Sequence, residues 1–127
     1  MSEEFSQTIL GEPASKANSR RWVRVKGQSR FIKSKKALDY SKAFQDQAKA
    51  LDTMLDEDGL PLCAEITIHY ASRRPDLDES LILDLLQGVA YKNDRAVKRK
   101  VIEWKLDRDN PRSEIRVTQL PKGYGES

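Results

Sequence analysis

The sequence predicts an α+β fold, a single domain with a mixed sheet of about four to six strands and two main helices packed on one face. Three patterns predict it: segments of alternating apolar and polar residues, one long apolar stripe at helical spacing, and a short apolar run that ends at a glycine. The chain of 127 residues has the length of one domain with its own core. We therefore expect one domain over 1–127, with a loose C-terminal tail over 121–127.

The N-terminal third predicts a strand followed by a hairpin. Residues 5–10 alternate in polarity, and Gly11 ends the strand. After a polar loop, residues 22–25 and 30–32 predict two short strands around a turn that contains Gly27. The hairpin would carry many of the basic residues of the chain.

The middle of the chain predicts two helices on either side of a strand. Ser34 is a suitable N-cap for a helix that extends to about Asp56. Residues 64–70 alternate as a half-buried strand, and residues 81–86 predict a short buried helix that ends with Gly88 in a left-handed cap. The apolar stripe of the first helix consists of Tyr40, Phe44, Ala48, Leu51 and Leu55.

The C-terminal third predicts two more strands. They cover residues 97–106 and 114–120, and a turn at 108–111 joins them.

The composition excludes several classes of protein. No apolar run approaches the roughly 20 residues that cross a bilayer, and the N-terminus is acidic where a secretory signal would be basic and then apolar. The single cysteine, Cys63, can form neither an internal disulfide nor a zinc cluster, and its position in a predicted strand argues against thiol chemistry. We expect a cytoplasmic protein.

The basic residues are concentrated in two stretches although the net charge is only +3. Ser15 to Lys36 contains nine basic residues and no acidic one. Such blocks indicate contact with a polyanion such as nucleic acid, and a solvated basic face is the alternative. The second stretch contains Lys92, Arg95, Lys98, Arg99 and Lys100.

The segment from Arg73 to Glu79 carries the strongest signal for chemistry. In an extended chain Asp76 and Asp78 project to the same side, and we expect Leu77 between them to point into the core. Two carboxylates on one side can bind a divalent cation such as Mg²⁺. The alternative is that Asp78 only caps the following helix.

A third carboxylate and nearby arginines strengthen the interpretation as a metal site. Asp94 follows the far end of the short helix, so the chain could bring it back toward the first two aspartates. Carboxylates alone would repel DNA, whereas a bound cation with Arg73 and Arg74 beside it would attract phosphate. We therefore expect metal-dependent phosphodiester chemistry. The DNA-binding residues predicted on this basis are Lys16, Arg20, Arg21, Arg73, Arg74, Lys92 and Arg95.

Several segments, in this order, resemble the RusA family of Holliday junction resolvases. They are Gly11-Glu12-Pro13-Ala14-Ser15-Lys16-Ala17-Asn18, Arg74-Pro75-Asp76-Leu77-Asp78, and Leu85-Leu86-Gln87-Gly88-Val89-Ala90-Tyr91-Lys92-Asn93-Asp94. The resemblance implies a RusA-like fold and a homodimeric, Mg²⁺-dependent endonuclease, with Mn²⁺ able to substitute. Such an enzyme cuts four-way DNA junctions symmetrically in recombination and repair, in a bacterial host cell and often encoded by a phage. It also implies that Asp76, Asp78 and Asp94 are the catalytic, metal-binding acids.

The chain departs from the family pattern at two places. The family usually has asparagine after the second aspartate and a lysine one helical turn later, whereas this chain has Glu79 and no lysine. The second acidic pair of the family is Asn93-Asp94 here, which leaves one carboxylate fewer. Lys92 or Lys16 are the candidates to supply the positive charge of the missing lysine. Two alternatives therefore stay open: a junction-binding protein with weakened catalysis, and a protein-interaction module with a solubilising basic surface.

Two further residues are interpreted as structural. His69, the single histidine, is expected to be a surface or hydrogen-bonded strand residue rather than a general base. Trp104 is expected to pack rather than to stack on a base.

Overall fold

The computed structural model describes residues 4–15, 20–25 and 28–126, and it confirms the predicted α+β class. A four-stranded mixed sheet, a two-stranded hairpin and two helices make up the fold. The elements are β1 (Glu4–Leu10), β2 (Arg20–Val25), β3 (Gln28–Lys33), α1 (Lys35–Gln47), β4 (Leu62–Tyr70), α2 (Ser80–Leu85), β5 (Val97–Leu106) and β6 (Arg112–Gln119), with a 3-10 turn at Asp94–Ala96.

The strand order in the sheet is β1-β6-β4-β5. β4 and β5 are parallel and are joined through α2, whereas β6 is antiparallel to both β1 and β4. β5 and β6 are consecutive along the chain, yet β4 lies between them. The ends of β4 and β5 therefore lie side by side, and the loop that follows β4 is close to side chains of β5.

The core lies between the sheet and the two helices. Tyr40 and Phe44 of α1 are buried, and Leu81 and Ile82 of α2 extend the same cluster. The alternation in each strand places its apolar residues on this side of the sheet. The strand residues of the core include Phe5, Ile9, Ala64, Ile66, Ile68, Ile115 and Val117.

The N-cap of the first predicted helix is confirmed, and Gly88 has the predicted left-handed conformation, although it lies two residues beyond the C-cap of α2, Leu86. The Ser34 side chain accepts a hydrogen bond from the amide of Ala37 at 3.2 Å. Gly88 has a φ of 86°, the left-handed conformation that glycine adopts without strain.

The prediction that the first helix extends to about Asp56 is wrong beyond Gln47. The Gln47 side chain forms hydrogen bonds with both the amide and the carbonyl of Leu10, on the edge strand β1. Farther along, the amides of Leu51 and Leu55 bond to carbonyls in the loop after α2 rather than to a preceding helical turn. Leu55 is buried as the stripe predicts, but it reaches the core from irregular chain. Hydrogen bonds to distant segments thus replace the last helical turns.

The hairpin is confirmed for the backbone, since Val25 pairs with Gln28 and Arg20 with Lys33. Its turn residues, Lys26 and Gly27, and the side chains of its strands lie outside what the structure describes. At the other end of the chain, residues 121–126 form two exposed turns. No helix in the described ranges is both long and apolar enough to cross a membrane.

Candidate active site

The loop of residues 71–79 connects β4 to α2 and carries the first two predicted acids. The side chains of Asp76, Arg73 and Arg74 are exposed, and Asp78 is half-buried. The expectation that Leu77 points into the core is wrong, because 37% of its surface is exposed. The core behind the loop is already filled by two aromatic side chains from β4 and β5.

Tyr70 and Trp104 fix the backbone of this loop. The Tyr70 hydroxyl donates a hydrogen bond to the carbonyl of Asp76 at 3.2 Å and accepts one from the amide of Asp78 at 3.3 Å. The indole Nε1 of Trp104 donates to the carbonyl of Pro75 at 2.9 Å. The two rings stack with their centroids 5.7 Å apart. The packing role expected for Trp104 is confirmed, and three backbone groups around the two aspartates are thereby held in place.

The surroundings of the Tyr70 hydroxyl are acidic. Burial raises the pKa of Tyr70 above its ordinary value; the hydrogen bond from the Asp78 amide lowers it in part, and the charges of Asp78, Glu12 and Glu79 raise it again. Tyr70 therefore stays protonated near neutral pH and keeps its hydrogen bond to Asp76. The negative charge around it is what a cation would compensate.

Glu12 ties the start of the loop to the N-terminal segment. One of its carboxylate oxygens accepts a hydrogen bond from the amide of Ala71 at 2.9 Å, and the other pairs with Lys36 at 2.6 Å. Sequence reasoning assigned no role to Glu12. A single glutamate after a glycine carries no signal for such a contact, which joins positions 59 residues apart.

Lys100 brings a positive charge to this loop from β5. Its Nζ lies 3.1 Å from an Oε of Glu79, and the register of β5 against β4 places it on the same side of the sheet as Trp104. Asp78 precedes Glu79 and accepts a hydrogen bond from the amide of Ser80 at 2.9 Å, so it also helps to cap α2. Lys100 was named only as part of a basic stretch. The structure shows that it faces the acidic loop.

Asp94 lies in the 3-10 turn that precedes β5, where its amide donates to the side chain of Gln87 at 3.1 Å. The carboxylate of Asp56 accepts the amides of Lys92 and Asn93 at 2.8 and 3.2 Å. Asp56 was predicted only to end the first helix. It instead holds the loop that carries Asp94.

Asp94 has different acidic neighbours from those of Asp78. Burial raises the pKa of Tyr91, and the charges of Asp94, Asp84 and Asp56 raise it further. The Tyr91 hydroxyl donates to the carbonyl of Leu83 in α2 at 2.6 Å. The acidic side chains of the region therefore form two groups, one around Tyr70 and one around Tyr91.

The donor chemistry of these residues fits a divalent cation. Aspartate oxygens are hard ligands, and the exposed carboxylate of Asp76 forms no hydrogen bond or ion pair with a described residue. Within the described ranges, no three side chains of His, Cys, Asp or Glu form a group that could hold a metal ion. Mg²⁺ commonly binds through one or two carboxylates, with substrate phosphates and water completing its shell. The loop of residues 71–79 suits that mode better than a site made of protein ligands alone.

The predicted DNA-binding residues are only partly described. Arg73, Arg74 and Arg95 are exposed, and Lys92 forms an ion pair with Glu57 at 2.7 Å. Lys16 lies outside the described residues. The backbones of Arg20 and Arg21 lie in β2, and their side chains are outside what is described.

His69 lies in β4, on the face of the sheet opposite to Tyr70. It is buried, and its Nε2 is 3.1 Å from a carboxylate oxygen of Glu114 in β6. This confirms the interpretation as a hydrogen-bonded strand residue. Cys63 is buried in β4, as its place in the predicted strand indicates.

Comparison with known proteins identifies one family. The family model described as endodeoxyribonuclease RusA matches residues 11–118, which include all the elements described around the loop of residues 71–79 and Asp94. No match to this chain is found among curated proteins.

Proposed function

Since the chain belongs to the RusA family of endodeoxyribonucleases, we propose that it is a Mg²⁺-dependent enzyme that resolves four-way DNA junctions by paired, symmetric nicks. The observation that carries this proposal is the rigid, acidic loop between β4 and α2, whose backbone two aromatic residues hold. Such a loop holds the backbone of both aspartates in place without a ligand, and preorganisation of this kind lowers the cost of reaching the reactive geometry.

We propose that Asp76, Asp78 and Asp94 supply the carboxylates for the divalent cation. Because no three such side chains form a ligand group within the described residues, phosphate oxygens of the bound strand and water would complete its shell. A bound Mg²⁺ would supply a Lewis acid for the scissile phosphate and a water of lowered pKa. Asp76 is the most exposed of the three and faces the substrate first, whereas Asp78 also caps α2. The Asp94 loop is positioned by Asp56 and Gln87.

Cations around the loop would position the DNA strand. Arg73 and Arg74 project from the loop itself, and a guanidinium binds phosphate through two parallel hydrogen bonds. Lys100 takes the place of the lysine that α2 lacks, because its ammonium group is held beside the acidic loop by Glu79. A point charge there can steady negative charge that develops on the phosphate.

The symmetry of the substrate supports a homodimer. A four-way junction has two equivalent strands to be cut, and a two-fold dimer presents two identical sites related by the same symmetry. We propose such a dimer of single-domain subunits that acts in the cytoplasm of a bacterial host, with recombination and repair as its context.

A junction-binding protein with weakened catalysis is the second candidate. It is favoured by the lack, within the described residues, of a three-ligand group and by the loss of the helical lysine. It predicts salt-sensitive binding of branched DNA that persists in EDTA, with no strand breaks.

A cleavage assay on a synthetic four-way junction tests the proposal. With Mg²⁺ we expect paired nicks from the wild-type chain and at least about a hundredfold less product from Asp76→Asn, with junction binding retained. Asp52→Asn is the matched control, since Asp52 is an exposed aspartate remote in sequence from the loop. Equal cleavage by wild type and Asp76→Asn would remove Asp76 from the reaction. Binding without cleavage by the wild type would select the second candidate.

A further inference from the structure

A polar groove lies next to the loop that carries Asp94. It has a volume of about 670 Å³ and is bounded by residues 56–61, by the start of β5 and by the C-terminal turns. The side chains that matter for its chemistry are those of Arg95, Lys98, Lys122 and Tyr124. None of them belongs to the loop of residues 71–79.

Three cations line this groove and are available for a ligand. Arg95, Lys98 and Lys122 are exposed, and none of them forms an ion pair with a described residue. Of the two acids in the groove, Asp56 is engaged by two backbone amides. The second, Glu126, is exposed at the end of the tail. The groove is therefore a place where negative charge is attracted rather than balanced internally.

Tyr124 adds an aromatic surface to these charges. With 41% of its surface exposed, it is one of the few large apolar side chains on the outside of the described structure. A hydrogen bond from its amide to the carbonyl of Pro121 at 3.1 Å closes the turn that presents it. An exposed aromatic ring beside several cations is the combination that proteins use to bind single-stranded nucleic acid, because a base stacks on the ring while the phosphates contact the cations.

The position of the groove connects it to the proposed reaction. Asp56 lines the groove and at the same time holds the amides of the loop that carries Asp94, and Arg95 directly follows Asp94. A DNA strand bound at Asp94 would therefore lie next to Arg95, the first cation of the groove.

We propose that this groove binds an unpaired stretch of DNA next to the branch point, with a base stacked on Tyr124 and the phosphates on Lys98, Lys122 and Arg95. The inference rests on the proposed function only in taking DNA as the ligand. It assigns a role to the C-terminal turns, which lie outside the matched family region of residues 11–118.

Fluorescence anisotropy with a labelled twelve-nucleotide oligothymidylate tests the stacking on the full chain. Tyr124→Ala should weaken binding by about fivefold or more, whereas Tyr124→Phe, which keeps the ring, should stay within about twofold of wild type. Equal affinities of wild type and Tyr124→Ala would overturn the proposal. So would binding that is confined to fully paired duplex.

A salt titration tests the cations. In the double variant Lys98→Gln/Lys122→Gln, the slope of log K against log salt should fall by about 1.4, because each contact to a single strand contributes about 0.7. The control is Lys42→Gln, which removes an exposed lysine of α1 and should leave the slope unchanged. An unchanged slope in the double variant, with an unaltered thermal melt, contradicts the proposal.

The two proposals fail separately. If the wild-type chain nicks a four-way junction normally and the Tyr124 and lysine variants bind the oligonucleotide as the wild type does, only the groove is refuted. If the oligonucleotide results are as expected and no junction is cut, the nuclease proposal is refuted and the groove stands.

Discussion

The hydroxyl of Tyr70 offers the sharpest test of how the acidic loop is held. Tyr70→Phe keeps the ring that stacks on Trp104 and removes two hydrogen bonds, one to the carbonyl of Asp76 and one from the amide of Asp78. Each hydrogen bond contributes about 0.5–1.5 kcal/mol net. Both distances, 3.2 and 3.3 Å, are at the long end, so we expect a loss in the lower half of the combined range of about 1–3 kcal/mol, about 1.5 kcal/mol in all.

The expected effect on melting follows from the size of the domain. At about 2.1 cal/mol/K per residue, a chain of 127 residues has an unfolding entropy of about 0.27 kcal/mol/K, so the melting temperature should fall by roughly 6 °C. Junction cleavage well below that temperature should fall by about tenfold or more, because the backbone that carries both aspartates is no longer fixed. Calorimetry and a single-turnover cleavage assay measure the two effects.

Tyr40→Phe is the matched control for this change. It also removes a tyrosine hydroxyl, one that bonds to Ser113 inside the core at 3.4 Å and forms no hydrogen bond with the loop of residues 71–79. It should lower the melting temperature without lowering cleavage. If Tyr70→Phe behaves in the same way, with lower stability and wild-type cleavage, the hydroxyl does not position the aspartates and the reasoning is refuted.

Three more predictions follow from the contacts described above. Asp56→Ala should reduce junction cleavage at least tenfold, because two amides of the loop that carries the third aspartate lose their acceptor, whereas Asp52→Ala should have no effect in the same assay. Lys100→Gln should change the free energy of unfolding by less than about 1 kcal/mol, since its ion pair is partly exposed, yet it should lower cleavage. Lys105→Gln, on the opposite face of the same strand, should leave both stability and cleavage unchanged. Burial raises the folded-state pKa of Tyr40 to about 12, so the free energy of unfolding should fall by up to about 3 kcal/mol as pH rises from about 10 toward 12. Tyr40→Phe should lessen that fall in urea titrations at pH 9 to 11, and an equal fall in both proteins would contradict it.

The elements that depend on local pattern could be predicted from the sequence. Alternation within residues 64–70 predicted β4 nearly to its ends, and the apolar run before Gly88 predicted α2 and the left-handed glycine that follows it. The stripe from Tyr40 to Leu55 correctly marked residues that reach the core, but the same spacing also fitted a helix to about Asp56, whereas α1 ends at Gln47 after 13 residues. The periodicity of a helix does not reveal where a side chain such as Gln47 will bond to a distant strand.

The sequence by itself determined the α+β class, the positions of the three aspartates and the concentration of basic residues, because these depend on residue type and short-range spacing. Only the tertiary structure decided that Tyr70 and Trp104 hold the aspartate loop, that Lys100 faces it from β5, and that Asp56 supports the loop of Asp94. These contacts arise because β5 pairs in parallel with β4 and the chain after α1 folds back on the loop after α2. Side chains 20 to 40 residues apart then meet at distances that no local pattern records.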